Sequence, residues 1–136
     1  MDSRQEKIRQ DVLLDALVDL VNLAGVDARV KQHYQSVSDR EVQSETLQTI
    51  RTLVNDGLIR VGYRGPDGQL VPEPLEKAMQ EIHDAYISHY DEPGEWMGAA
   101  SLVLTDKGRQ IALSTEEGRR VAQHEEARRA ANRHRQ

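Results

Sequence analysis

The residue types best suited to chemistry in this chain are its five histidines, and their spacing gives them little to do. His33, His83, His89, His124 and His134 contain no H-x-x-x-H pair, so no two-histidine metal site is written along one helical face. His83 and His89 are six residues apart and do not share a face cleanly. His89 falls beside Tyr86 and Tyr90 on an apolar side, where a buried, hydrogen-bonded imidazole is expected. There is no cysteine, which excludes thiolate ligands, thiol catalysis and disulfides. No G-x-S-x-G nucleophile motif occurs. Gly62, Gly65 and Gly68 lack the Lys-Ser/Thr ending of a phosphate loop and read as turn chemistry. No catalytic residue, metal or cofactor is expected, and the chain reads as non-enzymatic.

What remains is charge. Arg40, Gln43, Ser44, Gln48 and Arg51 recur at helical spacing along one stripe, and Arg60 and Arg64 follow in a strand pattern. Such a set suits double-stranded DNA. Arginine pairs with guanine, glutamine with adenine, and arginines on a nearby hairpin meet phosphates. Glu41 and Glu45 on the same segment oppose that use, and a solvated helix face is the plainer reading of the stripe. A second constellation is acidic. Asp11, Asp15 and Asp19 repeat every four residues and repel one another, so they must stay in water or meet a cation. As an alternative function, that stripe and the acidic body could dock on a basic protein partner.

Composition bounds both readings. The 136 residues are 38% hydrophobic and 30% charged, with 18 Lys+Arg against 23 Asp+Glu, a net charge of −5. This suits one domain with a tail. Residues 1–106 carry 10 basic and 19 acidic residues, whereas residues 107–136 carry 8 basic and 4 acidic. The last ten include Arg128, Arg129, Arg133 and Arg135 and no acid. No run approaches the roughly 18 apolar residues of a membrane span. The first ten residues lack an apolar core, so no signal peptide is expected, and a reducing cytoplasm is the expected compartment.

The patterning then supplies the elements. A first helix is expected over Ser3–Ala24, closed by Gly25. Its apolar positions, Val12 through Leu23, wrap most of the circumference, which calls for cover on two sides. One side would face the core, and the other would be covered either by a second copy of the chain or by the Leu75–Tyr90 helix of the same chain. A short helix follows from Asp27, taken as its N-cap. Ser38 and Glu41 fit a capping box for a helix ending at Asp56, stopped by Gly57. Residues 58–71 read as a β-hairpin turning at Arg64–Gly68. Leu75–Tyr90 is a strongly amphipathic helix. Ser101–Leu104 is a strand, and Thr105 caps a helix to Leu113. Beyond Leu113, Val121 is the only large aliphatic residue, so a helix there would be marginal alone.

Three helices followed by a hairpin is the plan of the winged helix, a helix-turn-helix variant. The stretch Ile50–Gly62, IRTLVNDGLIRVG, resembles a recognition helix running into the first wing strand. Leu104-Thr105-Asp106-Lys107-Gly108 resembles the strand-then-helix ending of bacterial winged-helix regulators. The resemblance covers about Asp11 to Leu113. It implies an α+β, mostly helical fold: a winged helix over residues 1–113, with an extra helix at about 74–90 inserted between the wing hairpin and the last strand. Residues 114–136 would form an Arg-rich tail, helical or frayed. It also implies a DNA-binding transcriptional regulator, and regulators of this type are often homodimers. Two features depart from the pattern: the inserted helix, and a recognition helix poor in cations.

Overall fold

The computed structural model describes residues 2–134. Within them the chain runs α1 (Ser3–Ala16), β1 (Val21–Asn22), α2 (Leu23–His33), α3 (Asp39–Asn55), β2 (Ile59–Arg64), β3 (Leu70–Pro72), α4 (Leu75–Ser88), α5 (Pro93–Trp96), β4 (Ser101–Leu104), α6 (Asp106–Leu113) and α7 (Glu116–His134). The protein is α+β and mostly helical. Its strands form one antiparallel sheet in the order β1-β4-β2-β3. Register is set by Val21 and Val61, which both pair with Leu102, and by Ile59, which pairs with Leu104. These residues turn one sheet face inward.

Local chemistry explains most boundaries. Asp2 and Gln5 close a reciprocal capping box on α1, with bonds of 2.9 and 3.1 Å. Ser38 accepts the Glu41 N–H at the start of α3, and Thr105 accepts the Gly108 N–H at the start of α6. Gly57 ends the α3 segment at φ 75°, a conformation glycine adopts without penalty. Ile8 and Val12 of α1, Leu23, Val26 and Val30 of α2, and Ile50 and Leu53 of α3 meet Ile82 and Tyr86 of α4 over Ile59 and Leu102. All are essentially fully buried. Close approach of α6 to the sheet requires Gly108, because a Cβ there would lie 1.9 Å from the Leu58 carbonyl oxygen.

The first helix departs most from expectation. It stops at Ala16 rather than Ala24. The Leu17 N–H is shared between the Leu13 and Leu14 carbonyls, and Asp19 turns its carboxylate onto the Leu20 N–H. Val21 pairs with β4, and Asn22 caps α2 by accepting the Gly25 N–H at 2.9 Å. Asparagine favours a cap over a helix interior, and strand pairing satisfies the backbone that continued helix would have used. The surplus apolar surface is therefore divided among a helix end, a strand and the next helix. Leu17, Val21 and Leu23 are all buried within one chain. These residues do not need a second copy of the chain to cover them. Gly25 lies inside α2, and Asp27 is a buried helix residue rather than a cap.

Of the expected tail, Glu116–His134 is helix; Arg135 and Gln136 lie outside the described residues. Helix α7 packs chiefly on α6, where Gly118 sits so close to the Ala112 carbonyl that a Cβ would be 1.8 Å away. Among the described residues no helix is long and apolar enough to cross a membrane.

Candidate functional site

Helix α3 is the expected reading surface. It touches α1, α2, α4 and β2, leaving a narrow exposed line through Arg40, Ser44 and Gln48. Gln48 borders two grooves. One, about 360 Å³, lies against α4, with Ser44, Gln48 and Arg51 facing Glu76, Gln80 and His83 above Leu47 and Met79. The other, about 270 Å³, lies against α1, beside Gln5 and Arg9. The stripe is thus set between two neighbouring helices.

Two of its members have partners within the chain. Gln43 is buried, and its Nε2 donates to the Tyr86 carbonyl of α4 at 3.3 Å. The expectation that Gln43 faces outward is corrected: α4 covers that side of α3. Arg51 donates to Glu76 Oε1 at 2.6 Å, so the largest cation of the stripe already has a counter-ion. Glu76 is the acid that lines the groove, and on the two helices exposed Asp39, Glu41, Glu76, Glu81 and Asp84 outnumber exposed Arg40 and Lys77.

On the hairpin, Arg60 is exposed and Arg64 lies 3.5 Å from Asp19. That contact also breaks up the expected aspartate stripe. Asp19 is not on α1. Asp15 takes a two-pronged bond from Arg29, at 2.6 and 2.8 Å, and Asp11 lies 2.8 Å from His33 Nε2 and 3.9 Å from Arg29. The bond to Asp15 pushes the Arg29 pKa up. The repulsion visible in the sequence is relieved inside the chain, by Arg29 of α2 at Asp11 and Asp15 and by Arg64 of β2 at Asp19, so the three carboxylates do not form an open acidic ridge.

The polar cluster least visible in the sequence is buried. Asp27 of α2 is 3% exposed. It accepts the hydroxyls of Tyr86 and Tyr90, at 2.5 and 2.9 Å, and the Lys31 ammonium lies 2.8 Å away. The Tyr86 hydroxyl oxygen also lies 3.2 Å from Thr46 Oγ1 of α3, and Trp96 of α5 packs against both tyrosine rings while donating to the Tyr90 carbonyl at 3.0 Å. Burial, and then the bond to Asp27, push the Tyr86 pKa well above the usual phenol range. The bond to Asp27 raises the Lys31 pKa. This cluster fastens α4 and α5 to α2 and α3. Tyr86 and Tyr90, four apart on a helix, were its only sequence signal. His89 is not part of it: the imidazole is half exposed, with Nδ1 3.6 Å from Glu92, because α4 ends at Ser88 and the chain turns away.

The described residues therefore offer two kinds of surface, a polar groove along α3 and α4, where exposed acids outnumber bases, and exposed arginines on the sheet side. No group of three or more histidines and carboxylates is arranged to hold a metal among the described residues. No family model, no curated protein and no solved structure matches the chain.

Proposed function

We propose that the chain is a non-enzymatic protein of winged-helix type that docks a basic segment of a partner protein along the α3–α4 face. The fold part of this reading is supported by the order α1-β1-α2-α3-β2 and by the central pairing β1-β4-β2, with β3, α4 and α5 inserted between β2 and β4. The observation that carries the functional part is the Arg51–Glu76 pair at 2.6 Å. It gives the cation at the centre of the face a counter-ion, and on α3 and α4 exposed Asp39, Glu41, Glu81 and Asp84 outnumber exposed Arg40 and Lys77. A positively charged partner gains from that field, and a phosphate backbone is repelled by it. Titrating isotope-labelled protein with a Lys/Arg-rich peptide tests it. Amide shifts should centre on Ser44, Gln48, Arg51 and Glu76 and weaken in Glu76→Lys; shifts confined to other surfaces would overturn the reading.

The DNA-binding regulator remains a second reading, supported by the exposure of Arg40, Ser44 and Gln48 on α3 and of Arg60 on the hairpin. It requires base-specific binding. A gel shift with the upstream DNA of its own gene should then be lost in Arg40→Ala/Gln48→Ala, and equal binding by wild type and variant would end it.

A further inference from the structure

One side of this acidic chain gathers arginines. Arg60 pairs in register with Val103 of β4, and cross-strand partners share a sheet face. Val103 and Leu104, with Leu17 and Leu20 from the turn after α1, line a groove of about 320 Å³. Its rim carries Arg109 of α6 and Arg129 of α7, together with Asp19 and Asp106. Asp19 is also the residue that Arg64 approaches at 3.5 Å. Arg128 and Arg129 wrap the Glu125 carboxylate, with their Nε atoms at 3.0 and 3.2 Å, so that this acid is covered by its own helix and leaves little negative charge outside. Arg60 and Arg109 are exposed and make no ion pair among the described residues. Five guanidiniums from three elements thus face Asp19, Asp106 and the enclosed Glu125.

We propose that this face, built by β2, α6 and α7, binds the phosphate backbone of double-stranded DNA without reading its bases. Guanidinium groups are two-pronged donors to phosphate oxygens. They come from β2, from α6 and from adjacent positions near the middle of α7, rather than from one closed pocket. A duplex presents a charge roughly every 1.7 Å of its axis, and a spread array meets many of them. A compact single anion in the groove would instead sit beside Asp19 and Asp106. The groove floor is aliphatic and offers no Asn or Gln for a base edge. The inference is independent of partner docking at α3–α4, and either can fail without the other.

The test is fluorescence anisotropy of the full chain with two short duplexes of unrelated sequence, at salt from about 50 to 200 mM. Both should bind equally, with affinity falling steeply as salt rises. Arg109→Ala/Arg129→Ala should weaken binding about tenfold and reduce the log–log salt slope by about one for each arginine removed. Both side chains are exposed, and amide-exchange protection of residues 116–134 equal to wild type shows that α7 stays docked in the variant. Arg40→Ala/Gln48→Ala should bind as wild type does. Absence of binding at low salt, or an Arg109/Arg129 variant that binds normally, overturns the proposal. So does a poly-glutamate peptide that competes as well as DNA, which would mark the face as one for an acidic protein.

Discussion

At the scale of single residues, Asp27 governs the most. A buried carboxylate needs its partners, and this one has two phenols and an ammonium. Tyr86→Phe removes the donor to Asp27 and the contact with Thr46 without opening a cavity. It should cost about 1–3 kcal/mol, read as a lower urea midpoint. The pH dependence follows from the raised Tyr86 and Lys31 pKa values. A group whose pKa is higher folded than unfolded stabilises the fold fully below its unfolded pKa and loses that contribution as pH climbs. Wild-type stability should therefore fall above about pH 10, and fall less in Tyr86→Phe, as checked by urea unfolding across an alkaline series. None of this was legible at position 27. Asp before a helical pattern is most simply a cap, and only the arrival of α4 from far along the chain gives its carboxylate a buried role. Gln43 and His89 misled for the same reason. A period on a helix tells which side a residue occupies, and not which neighbour will cover it or where the helix will stop.

At the scale of elements, two glycines with the same close approach should behave differently. Gly108→Ala forces a methyl against the Leu58 carbonyl, where α6 packs on the sheet and the core cannot move. Overpacking of this kind should cost about 1–3 kcal/mol in the global unfolding transition. Gly118→Ala makes the same clash with Ala112 but between α6 and α7. Helix α7 buries only Gly118 and Glu125, so it should swing away while the rest melts almost as before. Amide exchange would show it as lost protection limited to residues 116–134. The clasp of Arg128 and Arg129 on Glu125 holds that carboxyl below the usual range. Its contribution is present above the ordinary glutamate pKa and disappears as pH falls, so α7 should loosen first in acid. Most elements were readable because their signals are local: the Pro-Asp-Gly turn, the caps at Ser38 and Thr105, and the α4 amphipathic period. The end of α1 was not readable. Leu17 to Leu23 satisfies a helical period, and the competing signal, Asn22 as a cap, is decided by pairing with a strand 80 residues later.

At the scale of the molecule, charge is sorted into an acidic α3–α4 side and an arginine-bearing sheet and α7 side. The imbalance between residues 1–106 and the remainder was visible in the sequence. That Arg60 and Arg64 would join Arg109 and Arg129 was not, because it depends on which sheet face looks outward. If both sides are used, raising salt should weaken each association, and Glu76→Lys and Arg109→Ala/Arg129→Ala should impair them separately, as titration calorimetry with peptide and duplex would resolve. The position of Trp96 makes such events observable without a label. It is the only tryptophan, 4% exposed, and it lies where the inserted segment is pinned against Tyr86 and Tyr90. Its emission therefore reports a single joint. A ligand that pries α4 from its seat will redden that light, and one that settles on the far arginines will leave the colour alone.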